Sequence, residues 1–296
     1  MRFWLALQWA AGWIVCILWL PIPAWLALFT GAVLAALAVA LVLALEFLLA
    51  AAADAPAAQP RRRSRWDAWL GETAAHLRAF WLLQPFYAGF AHGPLAADPA
   101  WPCVLLIHGF GCNRAMWLPL VRSGRLSRCN LACIDLAPAC VPIEEQATII
   151  DEAVRRLRDR TGGRRVALIA HSMGGLAVLA YLARFGDASV QVAITLATPF
   201  EGTWLAHLRS CPAAIQMRPG NRWLTDLIGA TTPEVRRKLC CVATRDDNVI
   251  IPWRSALMAG ARHYLTDGVG HLALSCDYDV AKWALEQVES GHSAPI

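Results

Sequence analysis

The run Ala170, His171, Ser172, Met173, Gly174, Gly175 sets a serine among small residues, directly after the apolar stretch 166–169 and before a helical pattern. A serine at such a strand-to-helix elbow is held exposed for attack, and its neighbours must be small for the strained turn to close. The common form is G-x-S-x-G; here Ala170 replaces the first glycine and keeps that position small. A glycine-rich helix start with an incidental serine would look the same, so partners are needed. A nucleophilic serine requires a base to take its proton and an acid to orient that base. Asp246 and Asp247 follow one β-rich run, and Val269, Gly270, His271, Leu272 follow another. Of the eight histidines, His263 falls inside a strand pattern and His292 lies near the end, while His76, His92, His108, His171 and His207 all precede the acid. His271 alone is well placed as the base. Asp247 is the candidate acid because it directly precedes Asn248 and the apolar residues 249–251; Asp246 is then expected to be a solvated loop charge. Upstream, His108, Gly109, Phe110 and Gly111 end the run 103–107. A tetrahedral intermediate needs two preset N–H donors for its oxyanion, and the backbones of Phe110 and Met173 fit that role. His108 itself reads as a structural histidine fixing the loop.

The elements that must position these residues alternate. Short β-rich runs occur at 103–107, 131–134, 166–169, 190–196, 239–243 and 262–265, with helical stretches between several of them, notably 144–160 and 173–185. Alternation of this kind implies an α/β fold with a mostly parallel sheet covered on both faces.

The chain has 296 residues, 57% hydrophobic against 17% charged, too apolar a balance for an ordinary soluble domain or a disordered chain. The net charge of +5 is concentrated at Arg61, Arg62, Arg63 and Arg65, which is no nucleic-acid-binding pattern. From residue 1 to 59 only Arg2, Glu46 and Asp54 are charged. Residues 3–20 and 24–45 are each long enough to span a bilayer, about 27 and 33 Å as helices. Pro21, Ile22 and Pro23 between them cannot continue a helix, so the spacing predicts a transmembrane hairpin over 1–59. Trp4, Trp19 and Trp25 fall where interfacial rings sit, and Trp9 and Trp13 face lipid or the second helix. A cleaved signal peptide is the alternative for this region. The arginines after the second span place the remaining domain on the cytoplasmic side.

Residues 60–100 form a basic linker and a helix: Trp66, Trp69, Leu70, Leu77, Phe80 and Trp81 recur at helical spacing. Its aromatic face either lies on the membrane surface or packs on the domain that follows. Nine of the ten cysteines lie beyond residue 100 without C-x-x-C pairing, which fits free thiols in a reducing compartment. Cys129 and Cys133 have no nearby histidine or second cysteine pair and read as small buried hydrophobes rather than metal ligands.

From residue 101 onward the chain resembles small bacterial triacylglycerol lipases and esterases and the inositol-deacylase-like branch of the α/β-hydrolases. The residues that carry the resemblance are HGFG, AHSMGG, RDDNVIIP and GVGHL, in the order Ser, Asp, His that this superfamily uses. TLATPFEGT and RSCPAAIQMRPGNRWLTDL also resemble lipase segments, the second within a short cap over about 205–237. The resemblance implies an α/β-hydrolase fold over 101–296 with Ser172, Asp247 and His271 catalytic. Phe110 and Met173 would form the oxyanion hole, and Phe200, Trp204, Met217 and Trp223 are candidates for substrate contact or for core packing. The expected protein is a membrane-anchored serine hydrolase acting on a lipid or small-molecule ester, with no metal or organic cofactor and no nucleic-acid partner. Acyl transfer or thioester hydrolysis on the same triad, and a non-catalytic membrane scaffold, remain open alternatives.

Overall fold

The computed structural model describes residues 23–53, 62–90, 98, 100–138 and 140–292. The six β-rich runs pair as β1 (Cys103–Ile107), β2 (Asn130–Ile134), β3 (Val166–His171), β4 (Val190–Leu196), β5 (Leu239–Thr244) and β6 (Arg262–Thr266). All neighbours are parallel, in the order β2-β1-β3-β4-β5-β6. Every residue of β1, β3 and β5 is buried, as strands covered on both faces require, whereas the edge strand β6 carries mostly exposed or half-buried side chains. Successive side chains point to opposite faces. Leu105, Ile107 and Leu168 therefore join one core with Ile150, Val154, Leu176 and Leu179, and Val104, Leu106, Ile169 and Ile194 join a second with Trp117, Val280 and Val288.

Among the described residues, three α-helices and a π-helical turn precede the sheet. The first, α1 (Ala24–Ala53), is long and apolar enough from Trp25 to Ala53 to cross a membrane by length and composition. The helix thus continues past the expected span at 24–45 to Ala53. Its expected partner at 3–20 lies outside the described residues, so one candidate span stands where the sequence predicts a two-helix hairpin. Leu43, Phe47 and Ala50 make a buried stripe on α1, while Leu37, Leu41 and Leu48 are exposed.

Helix α2 (Arg65–Leu77) starts at a capping box: the Asp67 N–H donates to Ser64 Oγ, and the Ser64 N–H donates to the Asp67 carboxylate. A π-helical turn, Arg78–Leu83, leads into α3 (Gln84–Tyr87). Between the two arrangements the sequence leaves open for this helix, its small side packs on the domain: Ala68, Glu72, Ala75 and Ala79 are buried, and Trp66 and Leu70 face outward. The arginine run is also engaged with the domain. The Arg62 and Arg63 N–H groups donate to the Asp267 carboxylate, and the Arg63 guanidinium pairs with Asp277 and Asp279 at 3.0 and 2.8 Å.

The remaining helices are α4 (Leu118–Arg122), α5 (Ala147–Arg160), α6 (Met173–Phe185), α7 (Pro212–Gln216), α8 (Arg222–Ala230), α9 (Pro233–Lys238) and α10 (Tyr278–His292). Helices α7, α8 and α9 occupy the interval between β4 and β5 where a cap is expected. The chain leaves β1 towards β2 on one side and returns to β3 on the other. The crevice beyond the C-terminal ends of β1 and β3 is therefore a topological switch point, where ligands of open α/β sheets bind.

Candidate active site

Ser172 sits at that switch point, between the end of β3 and the first residue of α6. Its backbone is at φ 54°, ψ −127°, a conformation rarely adopted by residues with a side chain. Three hydrogen bonds impose it: Ser172 N–H to Leu196 O at 2.8 Å, Gly175 N–H to Ser172 O at 3.0 Å, and Thr198 Oγ1 to Ser172 O at 2.9 Å. The small neighbours are a steric necessity. A Cβ on Gly175 would lie 2.0 Å from Thr198 Oγ1, and one on Gly109 would lie 2.8 Å from Ser172 Cβ.

Asp247 follows β5 and turns its carboxylate inward. Oδ1 accepts the N–H groups of Val249 and Ile250 at 2.9 and 2.7 Å, and Oδ2 lies 3.1 Å from His271 Nδ1. An acceptor on Nδ1 selects the tautomer with its proton there, which leaves Nε2 as the basic nitrogen. Burial alone would lower the His271 pKa; the charge and hydrogen bond of Asp247, with Glu72 and Glu46 behind them, turn the net shift upward. Asp246 departs from its expected role. It is buried rather than solvated, accepts the Gly268 N–H at 2.7 Å and lies 3.5 Å from Arg65, so it braces the loop that carries His271.

That loop is held from several directions. The His271 N–H donates to Asn248 Oδ1 at 3.1 Å, and the Leu272 and Ala273 N–H groups donate to the two oxygens of Glu72, both at 2.9 Å. A Cβ on Gly270 would lie 2.5 Å from Glu72 Oε2, so glycine there admits the carboxylate. Burial pushes the Glu72 pKa up to about 7 against the lowering effect of those two donors. His171 contributes from below: its Nε2 lies 3.0 Å from the His271 carbonyl, and burial followed by the His271 charge lowers its pKa to about 3. It is neutral and donates through Nε2–H. His108 is a loop fixer as well, with Nδ1 2.8 Å from Gly109 O and Nε2 accepting the Leu136 N–H at 2.9 Å.

Of the two expected oxyanion donors, Met173 directly follows Ser172, and Phe110 follows Gly109, which closely approaches Ser172, and lines the same cleft as Ser172. Met173 opens α6, so its N–H has no carbonyl a turn earlier to bond within the helix. Phe110 is the second residue of a turn closed by Cys112 N–H to Gly109 O at 3.3 Å, a bond that does not use the Phe110 N–H.

Ser172 and His271 share a cleft of about 220 Å³ with Phe110 and Met217. Three of the four pocket candidates do not line it. Phe200 is buried in the core beside α6, Trp223 packs half-buried on the same core, and Trp204 is 65% exposed. The 3₁₀ turn Trp204–Leu208 directs Leu205 and Ala206 inward and leaves Trp204 and Leu208 outside. Instead, Leu43 and Glu46 of α1 and Glu72, His76 and Phe80 of the next helical segment complete the wall. One signal for them was visible. Glu46 is the single charge in a helix otherwise suited to lipid, and such residues are costly and functional by default.

The profile of the Alpha/beta hydrolase family matches residues 104–284. Among solved structures, the mature Bacillus licheniformis lipase BlEst2 aligns with a TM-score of 0.54 at 19% identity, covering 60% of this chain and 88% of that one. Aspergillus fumigatus lipase B aligns with a TM-score of 0.54 at 15% identity, covering 62% of this chain and 52% of that one. At these identities the likeness is one of fold.

Proposed function

The chain belongs to the alpha/beta hydrolase family, and from that premise we propose that it is a membrane-anchored serine hydrolase cleaving carboxylic esters with apolar acyl chains. The observation that supports this reading is the Asp247–His271 pair, with Nδ1 3.1 Å from the carboxylate and His271 lining the same cleft as a strained Ser172. His271 Nε2 removes the Ser172 hydroxyl proton as Oγ attacks the ester carbonyl. The Phe110 and Met173 N–H groups stabilise the oxyanion. Collapse of the intermediate breaks the C–O bond, His271 returns the proton to the leaving alcohol, and the acyl group stays on Ser172. Water, deprotonated by His271, then attacks the acyl-enzyme, and the carboxylic acid leaves as Ser172 regains its proton. None of these steps calls on a metal or organic cofactor.

His271 must be neutral to act as the base. Because its pKa lies above the ordinary 6.5, kcat/KM should rise with pH through a midpoint above 6.5, and Asp247→Asn should move that midpoint down. A wild-type midpoint below 6.5 would contradict the roles given to this pair.

The acyl-chain preference rests on the cleft. Its lining is largely apolar, from Leu43, Phe80, Leu205 and Met217 among others, and its volume is below the roughly 300 Å³ at which drug-sized pockets begin. That suits one acyl chain rather than a whole lipid. Each buried methylene contributes about 0.8 kcal/mol, so four more carbons can add roughly 3 kcal/mol, over a hundredfold in specificity. Chains of roughly six to twelve carbons should be hydrolysed best on this scale. A fluorophosphonate probe should label Ser172, and p-nitrophenyl octanoate should exceed both acetate and palmitate in kcat/KM. Absence of labelling, or a steady fall in kcat/KM from acetate upward, would count against the proposal.

The location we propose is the bacterial inner membrane with the domain on the cytoplasmic side, supported by Arg62, Arg63 and Arg65 shortly after α1. A reporter fused after Ile296 should be active only as a cytoplasmic fusion; alkaline phosphatase activity from that site would reverse the orientation.

A further inference from the structure

A tether needs only apolar residues, yet α1 carries one carboxylate, and that carboxylate is turned towards the reacting groups. Glu46 Oε2 accepts the Asn248 Nδ2–H at 2.7 Å, and the Asn248 Oδ1 accepts the backbone N–H of His271 at 3.1 Å. A continuous path of two hydrogen bonds thus joins the apolar helix to the residue that pairs with Asp247. Leu43, three residues earlier on the same face, is buried and lines the cleft together with Glu46, Ser172 and His271. Six residues before Glu46, Trp69 Nε1–H donates to Ala40 O at 2.9 Å, which fastens α1 to α2.

The position of Glu46 along the helix is consistent with such a role. At 1.5 Å per residue it lies about 33 Å from Ala24, close to the roughly 30 Å thickness of a bilayer hydrocarbon core. A carboxylate at mid-depth would be costly, whereas one at the far boundary is beside polar headgroups and within reach of a water-facing domain. Leu at position 46 would make a better tether. Among the described residues the side-chain partner of the carboxylate is Asn248, next to His271.

We propose that α1 is a wall of the active site. Glu46 is a positioning residue that holds the His271 backbone through Asn248, and Leu43 is a contact for the acyl chain of the substrate. The kinetic part rests on the hydrolase reading given above; the placement of α1 against the cleft does not.

Kinetics of the full chain in one detergent separate a wall from a tether, because a soluble ester needs no membrane to reach the site. On p-nitrophenyl acetate, Glu46→Leu should lower kcat by about tenfold or more with little change in KM, as expected when a reacting group is misplaced. Glu46→Gln should recover most of that loss, because its amide oxygen still accepts the Asn248 N–H. Leu43→Ala should lower kcat/KM for octanoate by about tenfold relative to acetate, from lost acyl contact. If Glu46→Leu and Leu43→Ala both stay within about twofold of the wild type on both esters, the proposal is overturned.

Photocrosslinking covers the cases in which a variant misfolds or the wild type turns over no ester. With benzoylphenylalanine in place of Leu43, in the full chain reconstituted into phospholipid nanodiscs, crosslinks should map to residues 203–217 or 248–250. Crosslinks to lipid alone would overturn the placement of α1. Lack of ester turnover in the wild type alongside protein crosslinks would defeat the hydrolase reading and leave α1 as a wall of the Ser172 cleft.

Discussion

Ser172→Ala should lower ester turnover by at least about three orders of magnitude while leaving a folded protein, because the members of a triad act as a unit. The elbow is held through the Ser172 backbone, whose N–H donates to Leu196 O and whose carbonyl accepts from Gly175 N–H and Thr198 Oγ1–H; none of these bonds uses the serine hydroxyl, and alanine at φ 54° meets the same steric cost as serine. The substitution therefore removes the nucleophile and keeps the scaffold. His271→Ala should match it. Asp247→Asn should cost somewhat less, since His271 keeps its backbone anchor to Asn248. Asp246→Asn is the informative control. Its carboxylate braces Gly268 and Arg65 rather than the imidazole, so it should lower the melting temperature more than kcat. Rates on p-nitrophenyl octanoate, beside circular dichroism of each variant, decide the matter. Turnover by Ser172→Ala comparable to wild type would remove the nucleophile assignment, and a larger loss of kcat from Asp246→Asn than from Asp247→Asn would move the acid by one residue.

The sheet was legible because its signal is local. A run such as Cys103–Ile107, apolar at every position, fits a strand covered on both faces, and all six observed strands lie within two residues of the runs read from sequence. The loops bearing Ser172, Asp247 and His271 were legible for the same reason, each being a short motif at the end of a strand. What was not legible depends on which surfaces meet. Apolarity marks Phe200 and Trp223 as buried without saying whether they face the cleft or the core, and here they face the core. Asp246 and Asp247 are adjacent, and only the direction of their side chains separates a brace from the partner of His271. The contacts of the N-terminal segment span about two hundred residues of sequence, as between Glu72 and Leu272 or Glu46 and Asn248. No periodicity within α2 could reveal that its buried carboxylate finds two N–H donors there. Hydropathy marks α1 as long and apolar enough to cross a membrane and, by the same logic, assigns it nothing but anchoring.

Glu72 should be the most consequential residue outside the Ser172, Asp247 and His271 set. Its two oxygens receive the Leu272 and Ala273 N–H groups, the two residues directly after His271. Glu72→Leu would leave the buried Leu272 N–H without its acceptor, at about 1–3 kcal/mol, and the part-buried Ala273 N–H at a smaller cost, so a loss of at least roughly 1–3 kcal/mol is expected. The part of that loss that appears as a loosened His271 loop should lower kcat as well. Glu72→Gln keeps one acceptor and should recover part of both effects. The same carboxyl imposes a pH dependence whose sign is fixed by its raised pKa. Folding moves it from the ordinary 4.5 to about 7, so between those values the folded chain retains a proton that the unfolded chain has released. The resulting stabilisation is full below pH 4.5 and is lost as pH rises through about 7, with an upper bound of about 3 kcal/mol at roughly 1.4 kcal/mol per pKa unit. Thermal melts of wild type and Glu72→Gln at pH 5 and pH 8 isolate this contribution, because titrations shared by the two proteins cancel in the difference. The wild type should lose stability relative to Glu72→Gln on going from pH 5 to pH 8. A difference that does not change with pH would show an ordinary carboxylate at this site, and a Glu72→Leu variant that melts with the wild type would show that the His271 loop is held by other contacts, chiefly those of Asn248 and His171.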